Sequence, residues 1–355
     1  MFCARQVFRC FKFVEKLGER LVGAVGPYFV AAAASLISVG AVCFFEVIWP
    51  TLSYSWVATP ICFLIVFNLY AHYYFACSVP PGFVEDPPRE IGTGLFWSVP
   101  KQERKQGRGL RGSGVRWSEN LNITPASVTK CRKCEQKRPE NLTSILSFHE
   151  RSHHCKICNH CVLKFDHHCP SRIAVGIDEY LGINQCVGLH NERHFVLFMI
   201  YLFISTIFFA YNGLPLLGNA LGLTGKPWDH YTPEFVYITE FALSCVIGFA
   251  IFIMFGWHLW SVGQGETSVE AQDNEHYRKI ARSRGQEFVN SYDLGIKKNL
   301  ALFFNIGNRG YPWYTLIFPF RIPPYTDGYH WARQQGHTSH GGVEEGEELT
   351  DTDDD

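Results

Sequence analysis

Long apolar runs alternate with charged stretches along the chain, and the lengths of these runs are the first guide to its fold. A transmembrane helix needs about 20 consecutive, mainly apolar residues. Four runs with aromatic flanks meet this requirement, at residues 21–45, about 50–75, 195–217 and 241–260. A buried helix of a soluble protein can imitate one such run, but four of them indicate a bilayer. The pattern predicts a mainly α, polytopic membrane protein with four transmembrane helices.

Lysine and arginine are unevenly distributed between the apolar runs. The segment 49–55 has none, and the segment 218–240 has only Lys226. The N-terminus, the loop 77–193 and the C-terminal tail hold nearly all the others. Because basic loops stay on the cytosolic side, both termini and the long loop are predicted to be cytosolic. Because the chain has four predicted spans, we expect a multi-pass protein of the endomembrane system (ER, Golgi or vacuole).

Composition divides the chain into segments with different expected structures. The first twenty residues carry five basic residues among Phe and Val, which suits an amphipathic helix on the membrane surface or, equally, a loosely ordered basic arm. The predicted segments are a cytosolic N-terminus (1–20), transmembrane helices 1 and 2 (21–76), a cytosolic linker (77–129), a cysteine-rich domain (130–191), transmembrane helices 3 and 4 (194–262), a cytosolic C-terminal domain (263–340) and an acidic, disordered tail (341–355).

Seven of the thirteen cysteines fall in one short segment, whereas the net charge of −1 gives no reason to expect a nucleic acid as partner. The segment reads Cys131-x2-Cys134, His153-His154-Cys155-x2-Cys158-x2-Cys161, Asp166-His167-His168-Cys169 and then Cys186. Repeated C-x2-C spacings with histidines are typical of zinc sites. A disulfide framework would suit a small secreted protein instead. The segment therefore predicts zinc binding in a reducing compartment.

The tetrad Asp166-His167-His168-Cys169 contains more than a zinc site requires. A thiol beside a histidine beside a carboxylate is the arrangement of an activated nucleophile, with the base and its orienting group close by. These residues are therefore candidates for catalysis as well as for metal binding.

Taken in order, the motifs resemble the DHHC family of protein S-acyltransferases, and the resemblance covers most of the chain. Besides the tetrad and the cysteine-rich segment, they are Pro80-Pro81-Gly82 (usually Asp-Pro-Gly in the family), Asn191-x3-Phe195, Glu266-Thr267-Ser268-Val269-Glu270 (near the family's Thr-Thr-x-Glu), and Asn290-Ser291-Tyr292-Asp293-Leu294-Gly295 with Asn299.

The resemblance implies two structural zinc ions, each held by three cysteines and one histidine. The first set would be Cys131, Cys134, His154 and Cys161, and the second Cys155, Cys158, His168 and Cys186. A small domain stapled in this way converts metal-binding energy into folding energy. His153 and His160 are not expected to be ligands.

The resemblance also implies a two-step acyl transfer. Cys169 would attack a fatty acyl-CoA such as palmitoyl-CoA, His167 would move the proton, and Asp166 would orient His167. The acyl group would then pass to cysteines of cytosolic or membrane-anchored proteins close to the bilayer. The acyl chain would lie among the membrane spans. Candidates to line its cavity are Tyr201, Phe208, Phe209, Tyr211, Ser244 and Gly248.

The chain departs from the family pattern in two blocks. Residues 141–150 intervene where Glu140 would lead almost directly to Arg151. Residues 171–182 lengthen the loop after Cys169, so that sixteen residues precede Cys186, and the Trp expected after Cys-Pro is missing. Longer loops cost little closure entropy, but catalytic geometry is sensitive to displacements near 1 Å. Each block could be a genuine loop or retained intron sequence.

Two other functions compete with an active acyltransferase. One is a catalytically impaired, zinc-stapled membrane scaffold of the same fold, which the long loop and the missing Trp favour. The other is a membrane-anchored zinc adaptor or ubiquitin-ligase-like module. The adaptor is disfavoured because a binding module needs no free thiol beside a histidine and a carboxylate.

Overall fold

A computed structural model describes residues 31–86, 96–98, 121–126, 128–131, 134, 147–169, 174–175, 179–180, 185–307 and 310–344. The predicted basic N-terminus (1–20), most of the predicted linker and the end of the acidic tail lie outside the described residues.

Four long helices dominate the described part of the chain. They are α1 (Ala31–Thr51), α2 (Ser55–Ser78), α3 (Glu192–Ala220) and α4 (Glu234–Gly263), and each is long and apolar enough to cross a membrane. The cysteine-rich segment lies between α2 and α3. The prediction of a mainly α, four-helix membrane protein with a cysteine-rich domain between the second and third helices is therefore confirmed.

Helix α3 lies between α2 and α4, and small residues let the helices approach closely. A methyl group on Gly248 of α4 would lie 2.8 Å from Thr206 Oγ1 of α3. The Tyr237 hydroxyl of α4 donates a hydrogen bond to the Gly213 carbonyl of α3 over 2.6 Å. Small residues at the contact and interhelical hydrogen bonds are the usual means of helix association in lipid, where no hydrophobic force drives the helices together.

The cysteine-rich domain is built from short antiparallel pairs. Strand β4 (Ser152–Cys155) pairs with β5 (His160–Leu163), and β6 (His167–His168) pairs with β9 (Cys186–Val187). The remaining strands are β1 (Asn122–Pro125), β2 (Val128–Lys130), β3 (Ser147–His149), β7 (Ala174–Val175), β8 (Glu179–Tyr180) and β10 (His330–Arg333), paired as β1–β10, β2–β3 and β7–β8.

The residues that follow α2 run alongside β5 of the cysteine-rich domain. Gly82 accepts a hydrogen bond from Leu163 N over 3.0 Å, and Val84 N donates one to Cys161 O over 3.0 Å. Gly82 has a φ of +94°, and a Cβ there would lie 2.5 Å from the ring of His190. The glycine of the Pro80-Pro81-Gly82 signal is thus needed both for its backbone conformation and for the close approach of His190.

After α4 the chain forms α5 (Ser268–Ser283) and α6 (Ile296–Phe303). Helix α5 begins with a capping box, in which Thr267 Oγ1 accepts from Glu270 N and Glu270 Oε2 accepts from Thr267 N. Glu270 also forms a bidentate ion pair with Arg151, with both distances 2.6 Å. The guanidinium carbon lies 4.2 Å from the ring centre of Tyr292 and 4.7 Å from that of Trp331. This buried pair joins the C-terminal domain to the cysteine-rich domain.

Candidate active site

Eight side chains form two separate groups of metal-type donors. The donor atoms of each group lie within 4.8 Å of one another. The first group is Cys131, Cys134, His154 and Cys161, and the second is Cys155, Cys158, His168 and Cys186. These are the two sets that the resemblance implies, whereas His153 and His160 belong to neither group.

The donor distances within each group lie at or slightly below those around a tetrahedral zinc ion. In the first group Cys134 Sγ lies 3.3 Å from His154 Nδ1 and 3.2 Å from Cys161 Sγ. In the second, His168 Nδ1 lies 3.4 to 3.5 Å from the three sulfurs. Tetrahedral Zn–S and Zn–N bonds place their donors about 3.5–3.8 Å apart. A disulfide would need about 2.05 Å. Both groups therefore have the donors and the spacing to hold zinc.

The β4–β5 hairpin explains how the groups interleave. His154 and Cys161 are partners in its register, and they face the first group. Cys155, the next residue along β4, belongs to the second group. Because successive side chains of a strand point to opposite faces, one hairpin contributes ligands to both groups.

The second inserted block leaves the second group intact. His168 and Cys186 are opposite each other in the β6–β9 pair, and Cys169 N donates to Gln185 O over 3.3 Å. The intervening segment contains the β7–β8 hairpin. Gln185 Nε2 in turn donates to carbonyls at the end of α2, including Ala76 O over 2.9 Å. Cys169 and Gln185, which flank the block, are thus bonded to each other, and Gln185 is fastened to α2.

The first inserted block contributes to the fold. Its strand β3 pairs with β2, with Val128 opposite His149. Its last residue, Glu150, forms an ion pair with the buried Arg333 of β10. The end of this block therefore connects the cysteine-rich domain to the C-terminal domain.

Asp166 and His167 form a close pair beside Cys169. His167 Nδ1 donates to Asp166 Oδ2 over 2.6 Å, which leaves the other ring nitrogen for a proton of the thiol. Burial alone lowers the pKa of His167, but the hydrogen bonds with Asp166 and Cys169 outweigh it and raise the pKa to about 9. Burial raises the pKa of Asp166, yet His167, His258 and the Ser268 N–H together hold it below its usual value. The arrangement suits a thiol whose proton passes to a histidine oriented by a carboxylate.

The buried Asp166 carboxylate has further partners that the sequence did not reveal. Ser268 N, at the first turn of α5, donates to Asp166 Oδ1 over 2.7 Å. His258 Nδ1, near the end of α4, lies 3.6 Å from Asp166 Oδ2. The sequence showed the Thr267-Ser268-Val269-Glu270 element only as a likeness. In the structure the Ser268 N–H of this element donates to Asp166, and its Glu270 pairs with Arg151.

Comparison with known proteins agrees with this geometry. A family model described as DHHC palmitoyltransferase matches residues 126–275, which include the tetrad, α3, α4 and the start of α5. Residues 126–275 of the chain therefore form a DHHC palmitoyltransferase domain.

Individual relatives in the DHHC family extend the match. The chain is 26% identical over 353 residues to Palmitoyltransferase ZDHHC16A of Danio rerio, covering 85% of this chain and 76% of the relative. It is 32% identical over 189 residues to Probable protein S-acyltransferase 15 of Arabidopsis thaliana (52% and 62% covered). It is 26% identical over 196 residues to Palmitoyltransferase ZDHHC2 of Homo sapiens (54% and 44%). The alignment thus spans less than two thirds of the last two relatives.

A cavity of about 120 Å³ lies among the four long helices of this DHHC protein. Phe208, Phe209 and Ser244 line it, whereas Tyr211 is exposed. Cys169 and Phe198 both pack against a buried cluster that includes Tyr73, and the ring centres of Tyr73 and Phe198 lie 5.1 Å apart. The cavity begins one helical turn beyond these residues, at Leu69 and Leu202, since residues four apart lie on one face of a helix.

Removing one ligand from each donor group tests the two zinc sites separately. We expect Cys134→Ser and Cys158→Ser each to lose one of two zinc ions and to unfold at a lower temperature, since structural zinc contributes folding energy. Zinc per chain is measured by elemental mass spectrometry on protein purified in detergent. Cys245→Ser, which removes an exposed cysteine of α4, is the control and should keep both ions. Retention of both ions in Cys134→Ser and Cys158→Ser would contradict the assignment.

Proposed function

We propose that this chain is a protein S-acyltransferase that moves a long-chain fatty acyl group, such as palmitoyl, from acyl-CoA to protein cysteines. The observation that carries the proposal is the Asp166–His167 pair beside Cys169, in which His167 Nδ1 lies 2.6 Å from Asp166 Oδ2. These residues lie at the ends of the long helices, next to an apolar cavity. The reaction takes place on the cytosolic face, where acyl-CoA and reduced substrate thiols are present. The orientation follows from the distribution of basic residues.

The first step forms an acyl-enzyme. The Cys169 thiol gives its proton to His167, and the sulfur attacks the thioester carbonyl of acyl-CoA. The new carbon–sulfur bond forms as the bond to the CoA sulfur breaks, and His167 returns the proton to the departing CoA thiolate. Asp166 stabilises the protonated imidazole throughout. The thioester is exchanged for another thioester, so no energy source is required.

The second step repeats this chemistry with a protein cysteine. The substrate thiol gives its proton to His167 and attacks the Cys169 thioester, and the Cys169 thiol is restored with that proton. Cys131, Cys134, His154 and Cys161, together with Cys155, Cys158, His168 and Cys186, would hold two zinc ions whose contribution is structural. His168 precedes Cys169, so a metal bond at His168 restrains the position of the thiol.

Labelling the thiol tests the acyl-enzyme. Protein in liposomes, incubated with an acyl-CoA that carries an alkyne at the chain end, should acquire a hydroxylamine-labile label on Cys169. We expect Cys169→Ser to lose the label and to keep its zinc, because thioester formation needs this sulfur. Cys245→Ser should keep the label. An unlabelled wild type with normal zinc content would support the impaired scaffold, which the comparisons do not favour.

The backbone N–H that holds Asp166 can be removed without breaking α5. Ser268 is the first residue of the helix, a position that tolerates proline, and Thr267 has a ψ of 172°, as the residue before proline prefers. We expect Ser268→Pro to slow acyl-enzyme formation by up to about 100-fold through displacement of the Asp166–His167 pair. Ser268→Ala keeps the N–H and should react at the wild-type rate. Equal rates in the two variants, with normal zinc content, would mean that this hydrogen bond does not position Asp166.

The cavity among the helices is the proposed site of the acyl chain. It begins one turn from the cluster around Cys169, so a chain attached to this sulfur can extend into it. Each buried CH₂ contributes about 0.8 kcal/mol of transfer free energy. A long fatty acyl chain therefore gains most of its binding free energy in the cavity. Ser244 of α4 faces the cavity, whereas the next residue, Cys245, is exposed on the outside of the helix.

This adjacent pair gives a matched test of the acyl site. We expect Ser244→Phe to shift the preferred acyl-CoA to shorter chains, because the phenyl ring fills part of the cavity and each excluded CH₂ forfeits about 0.8 kcal/mol. Cys245→Phe adds the same ring on the outer face and should leave the preference unchanged. Acyl-enzyme yields from an equimolar mixture of chain lengths, read by mass spectrometry, measure the shift. An identical profile in both variants would remove the cavity from the proposal.

A further inference from the structure

An uncharged segment after α6 lies against the membrane-spanning helices. Residues 310–320 read Gly-Tyr-Pro-Trp-Tyr-Thr-Leu-Ile-Phe-Pro-Phe, and they contain one turn of 3₁₀ helix, Trp313–Leu316. Trp313, Ile317 and Phe318 are exposed by 65%, 37% and 44%. The segment ends at Arg321, whose guanidinium lies 4.7 Å from the ring centre of Trp97. Three large exposed apolar side chains within six residues are typical of a surface that contacts a membrane or another protein.

Polar side chains of α2 and α3 hydrogen-bond to carbonyls of this segment. Asn68 Nδ2 donates to Ile317 O over 2.8 Å, and the Tyr201 hydroxyl donates to Leu316 O over 2.8 Å. Buried Arg193 donates to Thr315 O over 2.7 Å and to Phe320 O over 3.3 Å. Non-helical backbone is tolerated at membrane depth only where the protein satisfies its polar groups. Carbonyls at the surface of a cytosolic domain would have water for this purpose.

The donor positions give the depth of the segment. Asn68 is thirteen residues after Ser55, about 20 Å along a helix that rises 1.5 Å per residue. Tyr201 is nineteen residues before Ala220, about 28 Å on the same scale. The hydrocarbon layer is about 30 Å thick. If α2 and α3 enter this layer at their far ends, both donors are still inside it, and so is the Ile317 carbonyl that they contact.

We propose that residues 312–320 re-enter the membrane and insert Trp313, Ile317 and Phe318 into the hydrocarbon of the leaflet next to the cysteine-rich domain. Phe67, beside Asn68 on α2, is 51% exposed, so the lipid-facing surface of the helices continues into the segment at the same level. Two prolines, Pro312 and Pro319, lack an N–H that would need a partner in lipid. The C-terminal domain is thereby anchored to the bilayer independently of acyl transfer.

Lipid-borne labelling tests this insertion in the full chain. The protein is reconstituted in liposomes that contain a phosphatidylcholine with a diazirine in its acyl chain, irradiated, and mapped by peptide mass spectrometry. We expect residues 313–318 to be labelled as strongly as the exposed face of α4 at 249–253. The exposed polar stretch 282–287 should not be labelled. Hydroxyl radicals generated in the water should give the reverse pattern.

A charged substitution provides a second measurement. Phe318→Asp should lose the lipid label on 313–318 while the label on α4 remains, because a carboxylate is costly in hydrocarbon, and Phe318→Leu should keep both. Wild-type protein labelled at 249–253 but not at 313–318 would overturn the proposal. If water-borne radicals then modify residues 313–318, the segment is exposed to water. If they do not, a second protein copy covers it.

Discussion

Two residue pairs of one short ladder determine where the thiol of Cys169, the proposed nucleophile, lies. His167 pairs with Val187 and His168 with Cys186, and Asp166 N continues the contact to Val187 O over 3.0 Å. A one-residue slip would reverse the faces of the side chains. It would then separate His168 from the sulfurs of its donor group and carry His167 and Cys169 together to the opposite face. A long inserted segment is tolerated between these strands because its closure costs little and because the ladder pairs the residues on either side of it.

The Asp166 carboxylate is where the separate parts of the molecule meet. It belongs to the cysteine-rich domain, and it accepts from the first turn of α5 and faces His258 of α4. Two buried ion pairs surround it, Arg151–Glu270 and Lys164–Glu192, both at 2.6 Å. Loss of one partner of such a pair leaves an uncompensated buried charge. The arrangement of charges therefore keeps the domains and the helix ends in one relative position, which catalysis by a precisely placed thiol requires.

Polar residues within the long helices have structural partners in this protein. The Nδ1 atoms of His72 on α2 and His194 on α3 lie 3.1 Å apart, so the two rings can share a hydrogen bond between the helices. Asn68 has a different partner, because it contacts the C-terminal segment instead of another helix. Polar groups in lipid must find partners within the protein. The C-terminal segment thus completes the helix bundle as well as covering it.

The lengths of the apolar runs and the spacing of the cysteines were sufficient to predict the long helices and to find the motifs. Both are local properties of the chain: an apolar run of membrane length can be seen in a single sequence, and C-x2-C spacings indicate which residues could bind a metal. The family resemblance also anticipated the two donor groups that the structure brings together. The contacts of Ser268 and His258 with Asp166, and of Asn68 with Ile317, join residues about 90 to 250 positions apart. No local pattern encodes such contacts, because they depend on how helices and domains pack. The sequence by itself determined the long helices, the motifs and the candidate catalytic and metal-binding residues, and only the tertiary structure decided what holds these residues in place.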